Sequence, residues 1–218
     1  DVVSTDTRTE LIKEEDKTII ENGMIKNPNN LLVLVNKDLA LPEDYVPNDL
    51  VSPMVPFIFE GEHDKRYIRE EAARALELLF ENANGAGIEL YAVSGYRAFH
   101  TQESIYNGYL ETLGEEKTNA VSAVPGHSEH QTGLAMDVTS RSVDLTLTED
   151  FGETVEGIWL QENAHKFGFI IRYPKGKEAI TGYQYEPWHL RYVGIEIATY
   201  IWEHELTLEE FFNYDSYQ

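Results

Sequence analysis

Short apolar runs set among polar residues predict most of the elements of this chain. Leu11-Ile12 and Ile19-Ile20 sit among acids and lysines, which suits a short amphipathic helix at roughly 8–22. Asn27-Pro28-Asn29-Asn30 then breaks the chain. Leu31-Leu32-Val33-Leu34-Val35 reads as a buried strand, and Pro42, Pro47, Pro53 and Pro56 mark residues 36–60 as an extended arm wrapping the domain. Ile68, Ala72, Ala75, Leu76 and Leu79 recur at helical spacing within 66–84, with Gly85 and Gly87 at the end. Further strands are predicted at 89–94, 134–138, 169–173 and 184–192. Further helices are predicted at 99–113, 154–167 and 194–204, with a loop at 114–127. Helices and strands mix without regular βαβ alternation, so the class is α+β, a small mixed or antiparallel sheet flanked by helices. Residues 1–30 form a polar extension with a short helix, and 31–218 form a single domain.

Composition narrows the classes of function. With 42% hydrophobic residues among 218 the chain has material for a core, and no apolar run approaches the ~20 residues of a membrane helix. The net charge of −22 argues against nucleic acid and against anionic lipid as partners. Zero cysteine excludes disulfides and thiolate metal ligands, so a metal would rest on His, Asp or Glu. The chain opens at Asp1 without an initiating Met and reads as processed, its targeting segment lying upstream.

Three clusters carry candidate chemistry. His130 and Asp137, in Ser128-Glu129-His130-Gln131-Thr132-Gly133-Leu134-Ala135-Met136-Asp137, suit a ligand on a loop and another on the strand that follows. Gly133 and Ala135 alternate with Asp137 and would leave room for a substrate on its face. On spacing alone, an ordinary polar loop entering a strand also accounts for the pair. Glu186-Pro187-Trp188-His189 adds an acid and a second histidine, and Pro187 can bend the strand so that both face one pocket. Three ligands leave one zinc position open for water, and a nearby carboxylate can take the proton of that water. Arg97, in Ser94-Gly95-Tyr96-Arg97, is a cation where a strand ends, suited to a carboxylate or an oxyanion; a surface salt bridge is the alternative. His63, His100, His127, His165 and His204 lack convincing partner spacing, and Trp159 and Trp202 read as helix core.

Together these motifs resemble the VanY-type D-alanyl-D-alanine carboxypeptidases. The resemblance spans roughly 31–204 and, within that family, is nearest to the bacterial LD-carboxypeptidase B group, whose N-terminal arm Val33–Lys37 and Leu41–Pro47 resemble. It implies a VanY/hedgehog-like zinc peptidase fold with the site in a cleft over the sheet. It implies Zn²⁺ on His130, Asp137 and His189, Glu186 as base, Arg97 toward the substrate carbonyl or carboxylate, and Gln102 and Ser128 against the peptide. The implied substrate is the peptidoglycan stem peptide, losing its terminal D-alanine, with LD cleavage of tetrapeptides preferred. The alternatives are a DD enzyme acting on pentapeptides, an endopeptidase, or a wall-binding module without catalysis. The resemblance also implies an extracytoplasmic bacterial protein, wall- or membrane-anchored through a segment upstream of this chain.

Overall fold

A computed structural model describes residues 7–214. Its centre is a four-stranded antiparallel sheet of strands β5 (Tyr91–Ser94), β6 (Ala135–Thr139), β7 (Phe169–Tyr173) and β8 (Glu186–Tyr192), in the order β5-β6-β8-β7. Two-stranded ribbons precede it: β1 (Ile20–Glu21) with β2 (Met24–Ile25), and β3 (Leu50–Val51) with β4 (Ile68–Arg69). The helices are α1 (Thr7–Leu11), α2 (Glu70–Gly85), α3 (Phe99–Leu113), α4 (Glu115–Val121), α5 (Val155–Asn163), α6 (Glu178–Thr181), α7 (Ile195–Glu203) and α8 (Leu208–Phe212).

Helix α2 buries Ala72, Ala73, Leu76, Leu79, Phe80 and Ala83, one apolar stripe at helical spacing. Together with Met136, Val138, Phe169 and Leu190 from the sheet it forms the core. Arm residues pair with the free edge of β5: Ile58 N–H donates to Ala92 O, and Ala92 N–H donates to Pro56 O. The arm thereby covers an edge that would otherwise offer unpaired backbone.

Several expectations change. The helix expected at 8–22 ends at Leu11; a single 3-10 turn, Glu14–Asp16, follows, and the first strand of a hairpin takes Ile20–Glu21. Asn22 and Gly23 both have positive φ (52° and 74°), as a two-residue type I′ turn requires. Residues 32–35 are buried as expected and Leu31 is partly so, but the run forms no strand. The carbonyls of Leu31 and Val33 instead accept from Arg191 Nη2 at 3.0 and 2.7 Å, and that of Val35 accepts from Arg172 Nη2 at 3.3 Å. Helix α4 lies in the stretch read as a loop at 114–127, and Trp202 is 47% exposed, stacked on His165, rather than core. Gly133 has φ +67°, and a Cβ there would meet Leu50, Arg69 and Pro47, so it packs on the arm and does not open the substrate side of Asp137.

Gly95 follows β5, and a Cβ on it would collide with Tyr67 O, Ile68 Cγ2 and Met136 Cε. All three neighbours are backbone or buried side chain, so relief requires the chain to move. Gly95→Ala should therefore cost about 1–3 kcal/mol in denaturant unfolding; a loss below about 0.5 kcal/mol, the range of neutral surface changes, would contradict this packing.

Candidate active site

Strand register brings the site together. Asp137 on β6 pairs directly with His189 on β8, and Ser94 on β5 pairs with Asp137. Cross-strand neighbours of this kind hold their side chains about 5 Å apart on one face. Glu186 and His189 are three apart, which a regular strand would send to opposite faces. Between the pairs Ile171↔Leu190 and Tyr173↔Glu186 the register slips, two steps on β7 facing four on β8, with Pro187 inside the slip. The distortion brings Glu186 Oε2 to 3.7 Å from His189 Nδ1, as the bend expected at Pro187 requires. His130 arrives from a 3-10 turn, Glu129–Thr132, just ahead of β6.

The ligand atoms of His130, Asp137 and His189 lie within 4.8 Å of one another, and all three residues are buried. His130 Nε2 is 3.3 Å from Asp137 Oδ2, and His189 Nδ1 is 3.1 Å from Asp137 Oδ1. The opposite ring nitrogens fix both tautomers. His130 Nδ1 lies 2.8 Å from Gly95 O, a carbonyl that only accepts, so Nδ1 donates and the Nε2 lone pair faces Asp137. His189 Nε2 lies 3.3 Å from Glu129 Oε2. Glu129 is fully buried; burial alone would raise its carboxyl pKa, but Arg191 and Arg172 hold it well below the usual carboxylate range. It is therefore an acceptor, and the His189 lone pair at Nδ1 faces the site.

This donor set fits a cation of zinc type. Two imidazole nitrogens and one carboxylate oxygen converge, and Asp137 Oδ1 is buried with no aligned hydrogen bond. Burial disfavours the His189 imidazolium, yet its close contacts with the Asp137 and Glu129 carboxylates push its pKa up to about 10. Such a position holds positive charge, as a proton or, in its place, a metal ion. Burial pushes the Glu186 carboxyl up to about 7; the Asp137 carboxylate acts in the same direction, while His189 and Arg97 oppose it.

Glu129 accepts from Arg191 Nη1 at 2.6 Å and from Arg172 Nε at 2.7 Å, and Glu209 on α8 takes Arg172 Nη1 and Nη2 at 2.8 and 2.7 Å. Sequence reasoning passed over this quartet. The available signal was two arginines each flanked by apolar or aromatic strand residues, Arg172 between Ile171 and Tyr173 and Arg191 between Leu190 and Tyr192, where full burial requires partners.

A cleft of about 460 Å³ opens over these groups, lined by Arg97, Gln102, Ser128, Glu186 and all three metal-donor residues, with Tyr173 and Tyr183 in its wall. Arg97 is not a surface salt bridge: among the described residues it makes no ion pair, and it donates to Gln102 Oε1 at 2.8 Å and Ser94 Oγ at 3.4 Å. Gln102, the buried residue of α3, spends both amide hydrogens on Ser122 Oγ and Ala123 O, so its main visible role is to aim Arg97. A larger cavity of about 590 Å³ between β7 and α7, lined by His165, Tyr185 and Trp202, contains none of the predicted site residues.

The geometry agrees with what the chain is similar to. Residues 65–195 match the family model VanY, D-alanyl-D-alanine carboxypeptidase. YodJ of Bacillus subtilis, which carries a carboxypeptidase name, is 56% identical over 188 residues, covering 86% of this chain and 69% of that protein. A D-alanyl-D-alanine carboxypeptidase of Enterococcus faecalis is 36% identical over 84% of this chain and 65% of its own length, so the chain spans about two thirds of both. Among solved structures, the LdcB LD-carboxypeptidase superposes with a TM-score of 0.88 at 52% identity, covering 93% of this chain and 96% of that one. A VanB-type D,D-pentapeptidase VanY in complex with Zn(II) gives 0.67 at 37% identity, covering 84% and 98%. By sequence and by fold, the chain belongs to the VanY family of D-alanyl-D-alanine carboxypeptidases.

Proposed function

We propose that this protein is a zinc carboxypeptidase that removes the C-terminal D-alanine from peptidoglycan stem peptides, with tetrapeptides cut at an L,D bond in preference to pentapeptides at a D,D bond. The observation that carries the reading is the converged donor set of His130, Asp137 and His189 with Glu186 beside it in one cleft. The L,D preference rests on similarity: 0.88 in TM-score to an LD-carboxypeptidase against 0.67 to a D,D-pentapeptidase. The same reading has the enzyme act outside the cytoplasm, tethered near the wall that supplies its substrate. Residues 31–218 carry the catalytic domain in this account, and none of the described helices is long and apolar enough to cross a membrane.

His130 Nε2, Asp137 and His189 Nδ1 would hold the zinc ion. When bound, it supplies a Lewis acid that polarises the scissile carbonyl and acidifies water. Glu186 lines the cleft with Oε2 3.7 Å from His189 Nδ1; it takes the proton of the attacking water and hands it to the leaving amine. Arg97 keeps its cation free of any contact carboxylate among the described residues, and it faces the negative charge of the substrate or of the tetrahedral state. Ser128 lines the same cleft and offers a hydroxyl to the peptide backbone. Gln102 holds Arg97 in place.

Glu186→Ala should retain zinc at one per chain and lose about 10²–10⁴-fold in kcat, the usual worth of a positioned acid–base group. Metal analysis beside a D-alanine release assay reads both; turnover within tenfold of wild type would remove Glu186 from its role. Synthetic tetra- and pentapeptides compared by kcat/KM should favour the tetrapeptide, and a pentapeptide preference would transfer the enzyme to the D,D class.

A further inference from the structure

Beside the catalytic cleft lies a smaller cavity of about 210 Å³, lined by Lys37, Asn119, Ser122, Val124, His127 and Tyr183. Ser122 and Tyr183 line both spaces, so the two adjoin through a shared wall. Nothing in the mechanism above uses this cavity.

Its chemistry is cationic in a strongly acidic protein. The chain carries 39 acids against 17 lysines and arginines, so its overall field repels an anionic peptide. Binding such a peptide calls for cations not already neutralised. Arg172 and Arg191 are spent on Glu129 and Glu209, whereas Arg97 in the cleft and Lys37 beside it make no ion pair among the described residues.

The Lys37 ammonium is held in place without being saturated. It donates to Asn119 O at 2.8 Å and lies 4.7 Å from the centre of the Tyr183 ring, while its stem passes over Gly182, where a Cβ would come within 3.0 Å of Lys37 Cδ. An ammonium has three donors, so two remain. Ser122 Oγ accepts from Gln102 Nε2 at 3.0 Å, which leaves the hydroxyl hydrogen of Ser122 to donate. His127 Nδ1 donates to Asn36 O at 2.8 Å, fixing that ring in the wall. An ammonium and a hydroxyl lining one small cavity are a donor set for a carboxylate.

We propose that Lys37 and Ser122 form an anion-reading subsite beside the catalytic cleft, which takes an internal carboxylate of the peptide substrate, one other than the C-terminal carboxylate. The proposal rests on the carboxypeptidase reading and adds a substrate feature to it. Arg97 shares the cleft with Glu186 and serves the reacting end of the peptide. Lys37 lies in the neighbouring cavity and serves a group further along the chain. Its effect is on binding rather than on the chemical step, so it acts through KM.

The test uses two tetrapeptides ending in D-alanine that differ only in an internal glutamate carboxylate or its carboxamide. Wild type should favour the carboxylate peptide by about tenfold in kcat/KM, the size of one charge-assisted contact. Lys37→Gln, at an exposed position, should erase that preference through KM, with kcat on both peptides and kcat/KM on the carboxamide peptide unchanged. A preference retained by Lys37→Gln, an equal loss on both peptides, or no preference in wild type would each overturn the subsite while leaving the carboxypeptidase reading intact. Failure of zinc-loaded wild type to release D-alanine from either peptide would overturn that reading, and the subsite with it.

Discussion

Glu129 is the carboxylate on which the rest of the site depends. It is buried beneath the cleft, where an unpaired charge would cost several kcal/mol, and it is held there by two buried guanidinium groups. Its remaining oxygen faces His189 Nε2. That contact decides which nitrogen of His189 looks into the site, and so whether three lone pairs converge or only two do. Arg172 and Arg191 offset Glu129 and Glu209 charge for charge, so the quartet adds no net charge beneath the donors.

The same interaction explains parts of the fold that otherwise look unrelated. The apolar residues 31–35 pack against the core without a strand partner because the carbonyls of Leu31, Val33 and Val35 finish the coordination of the two arginines. Helix α8 supplies Glu209, with a capping box at Thr207 and Glu210 fixing its first turn. Segments from near both ends of the chain thus meet behind the sheet and immobilise His189, while Gly95 O from the far side immobilises His130. Above the sheet the electrostatics differ. Asp137 and Glu186 are carboxylates next to a cationic position, and Arg97, aimed by Gln102, is left for a ligand.

Most of the sheet and the long helices were legible from periodicity, because burial of one face is what the spacing records. The donor residues were legible because imidazole and carboxylate carry their chemistry whatever the context, and Pro187 announced the distortion that places Glu186 beside His189. Three things were not. Asn22-Gly23 is a strong hairpin signal, but the apolar pairs Leu11-Ile12 and Ile19-Ile20 ahead of it mimic a helical stripe. Leu31–Val35 carries a strand's composition, yet its hydrogen bonds go to side chains that only the tertiary fold delivers. Glu129 stood inside the motif and was passed over, since its partners Arg172 and Arg191 are 43 and 62 residues away in sequence.

With Glu129 on His189 Nε2, the ring is turned so that Nδ1, not Nε2, would meet a bound metal. Anomalous diffraction at the zinc edge from crystals of the zinc-loaded protein tests it most directly. The account predicts a single peak about 2.0–2.2 Å from His130 Nε2, an Asp137 oxygen and His189 Nδ1, with His189 Nε2 still on Glu129. A peak bonded to His189 Nε2, or one lying away from these three residues, would contradict it.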